Sequence, residues 1–107
     1  MAERITNLTT QMAPNGTVAA RTVTVSSAAI NLINTTLLSG TTSHVQVTFT
    51  GANVRYTIDG TTPSATVGHQ IIGPETVIWH TDFANKVKCI REGITDVSAY
   101  ISELVYI

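Results

Sequence analysis

The three histidines, His44, His69 and His80, are the residues of this chain with the widest chemical range, because a neutral imidazole ligates zinc or copper and exchanges protons near neutral pH. None stands at a ligand spacing from another, so the sequence predicts no metal site. Asp59, Glu75, Asp82 and Asp96 could be imagined as the paired acids of a glycoside hydrolase, which must be held at a defined separation. Each instead lies beside Gly, Pro or another turn residue, where a carboxylate closes a turn by bonding the local backbone. Cys89 is the single cysteine. It has no internal disulfide partner and no activating cluster, and its Val and Ile neighbours predict a buried, inert thiol. Ser and Thr are abundant, yet there is no Gly-x-Ser-x-Gly elbow and no Gly-rich phosphate loop. The expectation is a chain with no catalytic residue, no cofactor and no enzymatic activity.

The aromatic set is Phe49, Tyr56, Trp79, Phe83, Tyr100 and Tyr106. A sugar-binding face needs exposed rings that stack on apolar sugar faces. Tyr56 is expected to point inward, which leaves Trp79 and the two C-terminal tyrosines as candidates, with core or subunit packing as the favoured use. Charged residues make up 12% of the 107 residues and the net charge is −1, so nothing draws the chain to nucleic acid or to an anionic membrane surface. A hydrophobic content of 43% with so little charge is unusual for a free monomer. The surface must then be covered by Thr, Ser and Asn, neutral residues that suit both water and a subunit contact. No stretch has the apolar core of a signal peptide or the length to span a bilayer, which predicts synthesis in a cytoplasm and makes the sequons at Asn7, Asn15 and Asn34 products of a Thr-rich composition.

The elements that must position these residues are strands. Val45, Val47 and Phe49 alternate with polar residues, Gly51-Ala52 interrupts, and Val54, Tyr56 and Ile58 alternate again. The economical reading is a β-hairpin with a type II′ turn at Gly51-Ala52, which sets His44 opposite Asp59. Residues 1–20 are polar, broken by Pro14-Asn15-Gly16, and are expected to form an irregular, frayed lead-in or an arm that orders on a neighbouring subunit, with Ile5, Leu8 and Met12 as its contacts. A strand is expected over Arg21 to Val25; over Ser26 to Gly40 the spacing of Ile30, Ile33 and Leu37 allows a short helix, but Asn31, Asn34, Thr35 and Thr36 favour strand, break and turn. Asp59-Gly60-Thr61-Thr62-Pro63 must end a strand, since Asp bonds the next backbone groups and Pro removes a ladder donor. Brief strands follow over His69 to Ile72, around Val77 and Trp79, and over Lys86 to Arg91. The last run, Val97 to Ile107, is apolar on both parities, which in a monomer exposes an aggregation-prone surface unless something covers it. A single antiparallel β-sandwich over 21–107 is predicted, immunoglobulin-like or jelly-roll-like. The candidate interface residues are Ile5, Leu8, Met12, Trp79, Tyr100, Leu104, Tyr106 and Ile107.

The segment Val54-Arg55-Tyr56-Thr57-Ile58-Asp59-Gly60-Thr61-Thr62-Pro63-Ser64-Ala65-Thr66-Val67-Gly68-His69, with the later Ile90-Arg91-Glu92-Gly93 and the closing strand, resembles small virion structural proteins of tailed bacteriophages. The resemblance covers the second half of the chain. It implies a capsid decoration or cement protein, or a neck or tail component, found in the virion and partnered by its own copies as a homo-oligomer and by the major capsid protein or another virion protein, with no nucleic acid and no membrane partner. The Tyr-Thr-x-Asp-Gly-x-x-Pro core also resembles β-sandwich modules appended to bacterial glycosidases, which implies a carbohydrate-binding alternative.

Overall fold

Period-two alternation along most of the chain becomes nine strands in the computed structural model, which describes residues 12–16, 18–33 and 38–106. In chain order they are β1 (Met12–Pro14), β2 (Arg21–Val25), β3 (Ile30–Asn31), β4 (His44–Thr50), β5 (Val54–Thr57), β6 (His69–Ile71), β7 (Glu75–His80), β8 (Lys88–Arg91) and β9 (Val97–Tyr106), and the short helix α1 (Thr81–Ala84) lies between β7 and β8. All strand pairs are antiparallel. A five-stranded sheet has β9 at its centre, with β1 and β2 sharing one edge of β9 and β4 then β7 on the other; a four-stranded sheet runs β3, β8, β5, β6. The two sheets pack face to face as a single β-sandwich, the class expected from the pattern of short strands and turn signals.

The core is the inward parity of each strand. Val45, Val47 and Phe49 of β4, Val97, Ala99 and Ile101 of β9, Val25 of β2, and Val54 and Cys89 from the opposite sheet are fully buried in one cluster. Burial lifts the Cys89 thiol to about 12, which keeps it protonated and inert. Tyr56, Trp79 and Phe83 close the side of this core near β6 and β7.

The hairpin is the main correction. β4 pairs with β7 and β9, whereas β5 pairs with β6 and β8 in the other sheet. The chain turns at Gly51, whose φ is +98°, and crosses to the facing sheet. Asn53 fastens the crossing: its side chain accepts from Gly73 N (3.2 Å) and its carbonyl from Glu92 N (3.0 Å). Both arrangements turn Val45, Val47, Phe49, Val54 and Tyr56 toward one core, so local alternation is equally content with either; the choice is made by partners distant in sequence. His44 therefore lies opposite His80 and Leu104, and not opposite Asp59.

Other departures are smaller. Within the polar lead-in over 1–20, Met12–Pro14 form a strand on β9, and Ile5 and Leu8 lie outside the described residues. Ser26 to Gly40 contributes the short β3, followed by a turn at Leu32 and Ile33. Helix α1 is absent from the sequence expectation; it is a single turn capped by His80, whose Nδ1 accepts from Asp82 N at 3.1 Å.

The Asp59 to Gly68 loop is built as its residues imply. Asp59 Oδ1 accepts from Thr61 N (3.0 Å), Thr57 Oγ1 donates to Thr61 O, and Ser64 Oγ accepts from Thr66 N and Val67 N. The Thr61 contacts hold the Asp59 carboxyl below the usual carboxylate range. Gly68 returns the chain at φ +124°, where an added Cβ would sit 2.8 Å from Tyr56 O. Gly68→Ala should therefore destabilise the fold by about 2 kcal/mol or more, from strained backbone plus the clash. Gly93→Ala, with open space around it, should stay within about 0.5 kcal/mol of the parent. Urea midpoints measure both, and equal midpoints would show the loop to be free to relax.

Candidate functional site

The two faces of the five-stranded sheet differ sharply in chemistry. On its outer face, read from the cross-strand register, β9 presents Ser98, Tyr100, Ser102, Leu104 and Tyr106. Beside them lie Met12 and Pro14 of β1, Thr22 and Thr24 of β2, His44, Gln46, Thr48 and Thr50 of β4, and Thr76, Ile78 and His80 of β7. No Asp, Glu, Lys or Arg occurs among these positions. On the other sheet's outer face Arg55 belongs instead to a local network: it donates to Glu92 Oε1 (3.0 Å from Nη2) and to Gly68 O (3.0 Å), and Gln70 Nε2 donates to both Glu92 oxygens. Those Gln70 and Arg55 bonds hold the Glu92 carboxyl below its usual range.

Four of the interface candidates meet on the charge-free face. Met12 pairs with Tyr106, Leu104 with Pro14 and His44, and Tyr100 with Thr22 and Thr48. Tyr100 and Tyr106 are 51% and 63% exposed. Met12, Pro14, Gln46, Ile78 and Leu104 line a depression of about 190 Å³ between the two tyrosines' strand and its neighbours. Around it run hydroxyls with each other as partners, such as Thr48 and Thr76 at 3.0 Å. Trp79 belongs elsewhere. It pairs with Val45 on the inward parity, and its ring centroid lies 5.5 Å from those of Tyr56 and Phe83. It is half-buried between the sheets and does not align with a tyrosine on a flat face. Ile107 and the two arm residues Ile5 and Leu8 lie outside the described residues.

One corner of the face concentrates its titratable groups. The His44 ring meets His80 at 5.1 Å and Tyr106 at 5.4 Å between centroids, both edge to face, and shares a hydrogen bond of 3.0 Å with Ser43 Oγ. Burial, and then the neighbouring His80, lower the His44 pKa. His80 is committed through Nδ1 to the cap of α1. Among the described residues no group of three or more His, Cys, Asp or Glu side chains is arranged to hold a metal ion. His69, on β6 of the facing sheet, packs against Tyr56 at 5.2 Å.

Behind the same strand, on the inward parity, Glu103 replaces an apolar residue and is 2% exposed. Its Oε1 accepts from Ser39 N (3.0 Å) and from the Thr42 hydroxyl, and its Oε2 lies 2.8 Å from Arg21 Nη1. Arg21 pairs with Ile101, so it reaches Glu103 as a diagonal neighbour two residues along β9. Asn15 completes the cluster. Its backbone N donates to Glu103 O (2.8 Å) and its Nδ2 to Thr41 Oγ1 (3.2 Å) and Thr42 Oγ1 (3.1 Å). Burial alone would raise the Glu103 pKa; the bonds from Thr42, Ser39 and Arg21 together bring it below the usual value. Sequence reasoning passed over this cluster, although it left one signal, a lone acidic residue on the apolar parity of the closing strand.

No family model, no curated protein and no solved structure matches this chain.

The His44 corner makes a pH prediction. In the unfolded chain His44 titrates near 6.5, and in the folded chain below it. As pH falls, the unfolded state takes up the proton first, so the stability contributed by neutral His44 is complete above the unfolded value and is lost as pH drops from there toward the folded one. The urea midpoint should decline between about pH 7 and pH 5, and His44→Gln should flatten that decline. A parent midpoint constant across the window would contradict the burial of a neutral imidazole here.

Proposed function

We propose that this chain is a structural protein of a bacteriophage virion, a capsid decoration or cement protein that binds the shell and its own copies. The observation that carries the reading is the charge-free outer face of the five-stranded sheet, with two exposed tyrosines beside an apolar depression. Removing a charge from water costs several kcal/mol unless it is paired, so protein interfaces deplete charged residues at their centres and favour Tyr and Met. A sheet face built from Thr, Ser, Gln, Tyr, Leu and Ile can be covered with little desolvation cost, and its hydroxyls and amides offer both donors and acceptors to a partner backbone. The resemblance of the Val54 to His69 segment to phage virion proteins supplies the class of partner, a shell protein. A neck or tail position would use the same face against a different neighbour.

The action is mechanical. A protein that binds the assembled shell and not its separated subunits raises the free energy of separation by its own binding free energy, as any ligand selective for one state does. Neutral contacts make that stabilisation insensitive to salt, whereas a bridge of surface ion pairs would weaken as ionic strength rises.

Light scattering after size-exclusion chromatography should find an oligomer at micromolar concentration; a monomer would count directly against the reading. Tyr100→Asp, which places one unpaired charge at the centre of the face, should weaken co-sedimentation with capsid shells at least tenfold, about 1.4 kcal/mol, while Lys88→Glu on the opposite sheet should leave it unchanged. Equal effects of the two substitutions would remove the face from the account.

A further inference from the structure

The buried cluster behind β9 links a hydroxyl, a carboxylate and a carboxamide by hydrogen bonds. Thr42 Oγ1 donates to Glu103 Oε1 and receives Asn15 Nδ2 at 3.1 Å. Exposure is 9% at Thr42, 2% at Glu103 and 7% at Asn15, so the three meet with little access for water. The base is itself oriented, by Ser39 N on Oε1 and by Arg21 Nη1 on Oε2. A hydroxyl bonded to an oriented carboxylate is the arrangement that activates Ser and Thr nucleophiles. Here the group beside it is a side-chain carboxamide and not a substrate.

We propose that Thr42 and Asn15 become joined by an intramolecular ester. Glu103 Oε1 takes the Thr42 hydroxyl proton as Oγ1 adds to Asn15 Cγ. The tetrahedral adduct then expels Nδ2, which receives that same proton back from Glu103 and leaves as ammonia. One C–N bond breaks, one C–O bond forms, nothing is oxidised or reduced, and the carboxylate is regenerated. Escape of ammonia into dilute solution draws the exchange forward, and exclusion of water protects the ester from hydrolysis.

A second observation sets this cluster apart from an ordinary structural ion pair. Arg21 Nε and Nη2 are buried with no hydrogen-bond partner among the described residues. Buried polar groups in folded proteins are nearly always satisfied, and an exception calls for an explanation, of which a chemical role is one. The product has a mechanical meaning too. Asn15 follows β1 and Thr42 precedes β4, strands on opposite edges of β9, so the ester would tie the N-terminal strand to the sandwich by a bond that spans 27 residues of sequence. This inference stands independently of the virion reading.

The test is peptide mass spectrometry on the full chain, folded, then denatured and digested with trypsin. Cleavage after Arg4, Arg21 and Arg55 places Asn15 in segment 5–21 and Thr42 in segment 22–55. The expected result is that these two peptides travel as one species whose mass is their sum less one ammonia, and that hydroxylamine separates them. Thr42→Val should yield two unlinked peptides of full mass, and Thr42→Ser, which keeps the hydroxyl, should restore the link. Asn15 precedes Gly16, and succinimide formation at an Asn-Gly pair also expels ammonia. That product leaves the peptides separate and persists in Thr42→Val. Separate peptides from the folded parent chain, with or without an ammonia deficit, would overturn the proposal.

Discussion

Strand β9 is the constraint on which the rest of this structure depends. At ten residues it is the longest strand among the described residues, and it is paired with β4 on one edge and with β2 and β1 in succession on the other. Its inward parity supplies Val97, Ala99 and Ile101 to the core and then places Glu103 where the next apolar residue would fall. Its outward parity supplies Tyr100, Leu104 and Tyr106 to the candidate face. Core, buried carboxylate and docking surface are thus alternate residues of one backbone, and a slip of one residue in its pairing would exchange them.

Burying Glu103 carries a desolvation penalty that its partners offset only in concert. Three elements converge to do so: the end of β1 through Asn15, the start of β2 through Arg21, and the approach to β4 through Ser39 and Thr42. Loss of any one would leave a charge or a donor stranded in the interior, which is far more destabilising than the net value of the intact pair. The cluster therefore specifies how the edge segments seat on β9, while the apolar core between the sheets provides the general driving force.

Much of the architecture was legible because it is written in local chemistry. Alternation identified β2, β4, β5 and β9, the Asp59-Gly60 and Pro63 signals ended β5 where it ends, and Gly73-Pro74 separated β6 from β7. What local chemistry cannot express is which sheet a strand joins. Val45 to Phe49 and Val54 to Tyr56 face the same core whether they pair with one another or lie on opposite walls of it, and the decision rests with Ala99, Val77, Ile71 and Cys89, far along the chain. The same non-locality hid the Glu103 cluster, since Asn15, Arg21, Thr42 and Glu103 share no spacing. The face was partly legible. Met12, Tyr100, Leu104 and Tyr106 were singled out as apolar or aromatic residues near the termini, and the register brings them together; Trp79 was grouped with them, although its parity turns it into the inter-sheet aromatic cluster. Helix α1 escaped because four residues with one polar cap carry no periodic signal.

The central claim is that the outer face of the five-stranded sheet is covered by protein when this chain is at work. Tyrosine labelling tests it most directly, by nitration of the free chain and of particles assembled with it, followed by peptide mass spectrometry. The account predicts that Tyr100 and Tyr106 are modified in the free chain and protected in the particle, while the reactivity of half-buried Tyr56 changes little. Undiminished labelling of Tyr100 and Tyr106 in the particle would contradict it.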